Sequence, residues 1–156
     1  MEQDLELLYE VCTLRHIARN WKQFGGPNVC NVAEHVFRVS WISQVLCERE
    51  KADMGRVLQL ALIHDLGKTR TGDAHWMNRS YITRDEGRAI QDAARGTAME
   101  NVAGALWDEF KEAKTLEARI VKDADNLDVD MEFSEHRHDW PFASTEDDLR
   151  QETRFG

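Results

Sequence analysis

The stretch Leu60-Ala61-Leu62-Ile63-His64-Asp65-Leu66-Gly67-Lys68 decides how this chain is read. Its first four residues are uniformly apolar, and the run ends on an adjacent His and Asp. Burying both side chains costs free energy unless something pairs with them. A divalent metal satisfies the two together, because imidazole nitrogen and carboxylate oxygen are ordinary ligands of such ions. Consecutive residues lie about 100° apart on a helix, so one ion can take both only near the helix edge. The plainer alternative is a helix-end His, favoured by the dipole, beside a solvated Asp. The apolar run leading into the pair speaks against it.

Two further candidates flank this stretch. His35 lies in Asn31-Val32-Ala33-Glu34-His35 and shares a helix face with Val39, Ile42 and Leu46, so it points inward. A lone inward His is more often a hydrogen-bonded core residue than a ligand. Asp125 lies in Val121-Lys122-Asp123-Ala124-Asp125, where Ile120, Ala124 and Leu127 recur at helical spacing. That places Asp125 beside the buried stripe, with Asp123 and Asp128 expected further round. Each signal is weak alone. Together His35, His64, Asp65 and Asp125 make a ligand set drawn from three helices, with coordination positions left for water and a phosphate oxygen. Such a mixed set suits one Mn, Co, Fe, Ni, Zn or Mg ion.

The composition fits this reading. A chain of 156 residues with 42% hydrophobic content is the size of one globular domain, expected to span 1–156. No apolar run reaches the ~20 residues of a membrane helix. The start, Met1-Glu2-Gln3-Asp4, is acidic where a secretory signal is basic, so a cytoplasmic protein is expected. Cys12, Cys30 and Cys47 form no CxxC pair and read as reduced thiols, mostly in or near the core. A net charge of −9 argues against a nucleic-acid polymer as partner, and with it against a helix-turn-helix binder. A metal ion and a few local cations can still hold one phosphate.

The pattern is helical nearly throughout and predicts an all-α bundle of about six to seven helices. A broad apolar stripe of Leu5, Leu8 and Cys12, flanked by Leu7, Val11 and Leu14, marks a first helix over about 4–18. Asn31 to Glu34 reads as a capping box for a helix running to about Lys51. Asp53 caps a third, ending near Gly67-Lys68. Thr83 to Glu86 and Thr97 to Glu100 read as boxes for helices ending at Gly96 and near Ala113. A helix over about 115–130 carries Asp125, and Ser144 or Thr145 caps a last one, short or truncated. Nothing alternates long enough for a strand.

The order His35…His64-Asp65…Asp125 resembles the HD-domain superfamily of metal-dependent phosphohydrolases. The likeness is greatest to its small all-helical 5′-deoxynucleotidase-like branch. Members of that branch carry an Arg–Trp element, a VAEH segment, an HD pair running into a TGD loop, and a KDAD segment. Here these are Arg19-Asn20-Trp21, Val32 to His35, His64-Asp65 through Thr71-Gly72-Asp73, and Lys122 to Asp125. The resemblance implies metal ligation by His35, His64, Asp65 and Asp125, substrate roles for Arg19, Trp21 and Asp73, and a homodimer. One departure stands out. The branch usually has Glu four residues after the HD histidine, and this chain has Lys68. An ammonium there favours a phosphate oxygen, and other superfamily members carry HDxGK.

The chemistry implied is hydrolysis of a phosphate ester by a metal-activated water, with Lys68 and Asp65 as catalytic groups. Lys68 and Arg19 would hold phosphate charge, Trp21 would stack on a base or wall off the ribose, and Asp73 would accept from a sugar hydroxyl. The implied substrate is a (deoxy)nucleoside 5′-monophosphate. The alternatives are a triphosphate or cyclic phosphodiester substrate, or a non-catalytic nucleotide- or metal-binding module. His16 reads as a surface or core-edge residue, and His136 and His138 as part of a solvated loop. Trp41, Trp107 and Trp140 read as packing or dimer-contact residues.

Overall fold

Asn31 caps one of the two long helices that face the site, and it does so as a full capping box. Its side chain accepts from the Glu34 amide while the Glu34 carboxylate accepts from the Asn31 amide. In this computed structural model, which describes residues 1–25 and 28–135, that helix is Val32–Glu50. In chain order the α-helices are α1 (Glu2–Cys12), α2 (Lys22–Gly25), α3 (Val32–Glu50), α4 (Met54–Ile63), α5 (Lys68–Thr71), α6 (Glu86–Ala94), α7 (Ala103–Glu112) and α8 (Leu116–Glu135). Two 3-10 turns, Thr13–His16 and Asn78–Ser80, lie between them. Among the described residues there is no strand. A single antiparallel bridge joins Ala18 to Asn31 and brings the Arg19 loop against the start of α3.

The all-α expectation holds. α3 packs along α8 and α4, and α7 closes the bundle against α4, α6 and α8. Val39 of α3, Leu60 and Ala61 of α4, Ile90 of α6, Leu106 of α7 and Val121 of α8 meet in one core. Gly67 allows α6 to approach the turn after α4. A Cβ there would lie 2.9 Å from the Glu86 carbonyl oxygen, so a larger residue would push the two apart.

Several boundaries differ from the sequence reading. The first helix ends at Cys12 and tightens into the 3-10 turn. α1 packs mainly on that turn and on α6, so Leu7 is buried while Leu5, Leu8 and Tyr9 stay exposed. The helix after Asp53 stops at Ile63, where the chain turns through His64 to Gly67 before α5. The cap of α6 is Asp85, whose carboxylate accepts from the Arg88 amide, and not Thr83. The segment after Thr97 makes turns, and α7 begins only at Ala103. α8 runs on to Glu135. Cys12 is exposed, Cys30 half-buried and Cys47 buried. His16 is exposed, Trp107 is buried and Trp41 is exposed. The helix expected near Ser144 or Thr145, and with it His136, His138 and Trp140, lies outside the described residues.

Candidate metal centre

α3, the end of α4 and α8 each deliver side chains to one point. His35 comes from the first turn of α3, His64 caps the C-terminus of α4, and Asp125 lies mid-way along α8. The ligand atoms of these three lie within 4.8 Å of one another. Asp65 joins them: its Oδ2 is 3.4 Å from His35 Nε2 and 3.6 Å from His64 Nε2. His35 Nε2 is also 3.2 Å from Asp125 Oδ1. His35, His64 and Asp125 therefore converge, and Asp65 stands beside the two histidines. Both histidines are buried, Asp65 is nearly so, and Asp125 is partly open to a cavity.

Hydrogen bonds on the far side of each ring decide what faces inward. His64 Nδ1 lies 2.6 Å from the Ala61 carbonyl oxygen, which can only accept. His35 Nδ1 lies 2.6 Å from Asp128 Oδ2. Each Nδ1 thus carries a proton, and each ring turns its Nε2 inward, the atom that would ligate a metal once free of its own proton. The two Nε2 atoms are 3.3 Å apart, with two carboxylates beside them. Such a cluster favours a positive charge at its centre, a proton on His35 or a metal ion in its place. Burial and the Arg19 charge lower the His35 pKa, but Asp125 and Asp128 outweigh both and raise it. Burial, reinforced by His35, holds His64 neutral. Burial would raise the Asp65 pKa, but Lys68, His64, His35 and Arg19 keep it below the ordinary range. Two imidazoles and two ionised carboxylates are a donor set that fits a divalent ion.

Asp128 was expected further round α8, yet it is fully buried. A residue three along a helix is only about 60° away, so Asp128 shares the Asp125 face. It accepts from His35 Nδ1 and from Arg38 Nε, and Arg38 also reaches Glu135 at 2.8 Å. The spacing of three between Asp125 and Asp128 was the signal that could have revealed this orienting carboxylate.

The second wall of the site comes from the Arg19 loop and the α5 turn. Lys68 is buried, with Nζ 2.8 Å from Asp65 Oδ2 and 2.6 Å from Asp73 Oδ1. The Asp65 contact is an ion pair without good hydrogen-bond geometry, which leaves Oδ2 without a hydrogen bond among the described residues. Asp73 accepts from the Asn20 amide at 2.8 Å, and burial, which would raise its pKa, is outweighed by Lys68 and Arg19. Arg19 is 4% exposed, and its nearest carboxylates stand off at 3.8 and 4.0 Å. Its Nε and Nη1 are buried with no acceptor among the described residues. Orphaned donors of this kind cost free energy unless a ligand completes them.

Trp21 sits apart from the cavity. It packs with Val29 and Phe133, donates from Nε1 to Glu132 Oε2 at 3.3 Å, and carries the Arg19 guanidinium 4.1 Å above its ring. The cavity itself, of about 480 Å³, opens over His64, Asp65 and Asp125. Besides Lys68 it is lined by Arg79, Arg84, Lys111 and Lys122, of which the sequence named only Lys122, within the Lys122 to Asp125 segment and without a role. They lie on four separate elements with no common spacing, so no local signal groups them.

A profile of the HD-domain family matches residues 11–153, and the chain belongs to that family. It is 25% identical over 144 residues to a 5′-deoxynucleotidase of Dictyostelium discoideum, covering 82% of this chain and 75% of that protein. A 5′-deoxynucleotidase of Schizosaccharomyces pombe is 23% identical over 147 residues, covering 87% and 71%. Among solved structures, a conserved hypothetical protein from Pyrococcus furiosus matches with a TM-score of 0.78 and 28% identity, over 90% of this chain and 87% of that one. The predicted metal-dependent phosphohydrolase from Magnetospirillum magnetotacticum matches with a TM-score of 0.68 and 24% identity, over 81% and 68%. That last likeness shows a shared fold.

Proposed function

We propose that this protein is a metal-dependent phosphohydrolase acting on (deoxy)nucleoside 5′-monophosphates, with His35, His64, Asp65 and Asp125 as ligands of one divalent ion. The observation that carries the reading is the cluster of inward Nε2 atoms and carboxylates standing beside the orphaned N–H groups of Arg19. One feature fits a cation and the other an anion. A phosphate ester bound to a metal supplies both. The 5′-deoxynucleotidases among its relatives favour a nucleotide substrate.

When bound, the ion supplies Lewis-acid activation of water and of a phosphoryl oxygen. The chain's own residues do the rest. Arg19 donates Nε–H and Nη1–H to phosphate oxygens, replacing the contacts it lacks. Trp21 supports the guanidinium from below. Lys68, lining the cavity, turns its ammonium to the same phosphate while Asp65 and Asp73 hold it in place. Asp73, tied to Asn20 and Lys68, offers its remaining lone pairs to a sugar hydroxyl. The chain acts as a homodimer through the outer face of α3, where Phe37, Trp41 and Val45 are exposed at successive turns.

The test is a screen of deoxynucleoside monophosphates, triphosphates and cyclic phosphodiesters with Mn, Co and Mg. Inorganic phosphate released from monophosphates supports the reading. Triphosphate or ring-opened products in its place reject the substrate class. A second reading, a non-catalytic binding module, is favoured by Lys68 being pinned between two carboxylates. Turnover in the screen eliminates it. Light scattering at rising concentration tests the dimer, and a strictly monomeric mass overturns it.

A further inference from the structure

The cavity holds more unpaired positive charge than one phosphate calls for. Lys68 and Arg84 have carboxylate partners, Asp65 and Glu86, at 2.8 and 2.7 Å. Arg79, Lys111 and Lys122 have none within 4.0 Å among the described residues. Lys122 is half-buried one turn before Asp125, its Nζ 3.9 Å from the Phe110 ring centre. Lys111 Nζ lies 5.4 Å over Trp107, and Arg79 Nε donates to the Ala74 carbonyl at 3.3 Å. An aromatic face holds an ammonium in position without neutralising it. A chain of net charge −9 thus gathers three cations without an ion-pair partner in one cavity of about 480 Å³, which Asp85 also lines and whose size suits a nucleotide.

In the reading above, the phosphate at the ligand cluster is served by Arg19 and Lys68. We propose that the substrate carries a second phosphate group and that Arg79, Lys111 and Lys122 receive it within the cavity. This rests on the phosphohydrolase reading above and departs from its simple monophosphate substrate in favour of a nucleotide that bears a second phosphate. Burial lowers the Lys122 pKa, which a second phosphate nearby would reverse.

The test compares three probes on the full chain: deoxyadenosine 5′-monophosphate, deoxyadenosine 3′,5′-bisphosphate and deoxyadenosine 5′-diphosphate. Affinity is read by calorimetry without added metal, and phosphate release with Mn, Co and Mg. At least one doubly phosphorylated probe is expected to bind tenfold or more tightly than the monophosphate. Which one gains tells whether the second phosphate lies across the sugar or along the chain. In the double variant Arg79→Gln, Lys111→Gln, and separately in Lys122→Gln, the ratio of affinities should fall at least fivefold. Equal affinity for all three probes overturns the proposal. So does an equal loss for every probe in the variants, which would make these cations a general field. Tighter binding of a bisphosphate with no hydrolysis of any probe would sink the enzymatic reading and leave this anion site standing. Monophosphate hydrolysis with no gain from a second phosphate would do the reverse.

Discussion

The wall built by α3, α4 and α8 and the Arg19–Lys68 wall treat charge in opposite ways. On the first, each polar atom behind the ligand cluster is tied: His35 to Asp128, Asp128 to Arg38, His64 to the Ala61 carbonyl. On the second, Arg19 keeps two buried N–H groups unpaired and Asp65 Oδ2 lacks a hydrogen bond. A metal needs ligands held at fixed angles, so the tied wall suits it. A substrate that comes and goes needs donors that wait for it, so the untied wall suits a phosphate. The difference separates two jobs within one cluster.

Removing a ligand from the tied wall should break the site most severely. His64→Ala or Asp125→Asn is expected to lower phosphate release by about 10³-fold or more and to abolish metal retention measured by elemental analysis. Retained metal with full turnover would show that the cluster is not the metal site. Next comes the orienting residue behind that wall. Asp128→Asn should weaken metal binding by about 10–100-fold, since His35 loses its charged partner. A metal affinity equal to that of the parent would show that Asp128 serves packing alone.

The untied wall should respond differently. Lys68→Ala is expected to raise KM for a nucleotide about tenfold while leaving metal affinity within about twofold, because one charge-assisted contact is worth roughly 1.5–3 kcal/mol at most. If Lys68→Glu instead raises activity from a negligible start, Lys68 is what silences the site, and the binding-module reading gains. Smallest of all is the effect of the cap that sets the His35 helix. Asn31→Ala should cost about 1 kcal/mol of stability, seen as a lower urea midpoint, with ligand geometry kept. A change in metal affinity without that loss would mean that the cap tunes the site and does not merely start the helix.

Legibility followed the range of the interactions. The capping box at Asn31 and the cap at Asp53 depend on residues three apart, and both stand where the sequence places them. Thr83 and Thr97 carry equally good local signals, yet α6 starts after Asp85 and α7 only at Ala103. Cap chemistry names several possible starts, and packing of the helix face selects one. α1 shows the same limit: its apolar residues surround the helix, and contact with the 3-10 turn and α6 buries Leu7 while leaving Leu8 in solvent.

Helical spacing along the chain determined by itself the all-helical class, and a His and Asp ending an apolar run marked a site, because such a pair must find a partner. The order His35, His64-Asp65, Asp125 resembled a known family, and the resemblance named those four residues as candidate ligands. Only the tertiary structure decided which nitrogen of each ring faces inward, that Asp128 stands behind His35, and that Trp21 lies beneath Arg19. It alone gathered Arg79, Lys111 and Lys122 around one cavity. Those groups come from separate elements, and no periodicity links them. Electrostatics depends on distance in space, which a chain acquires only when its helices have packed.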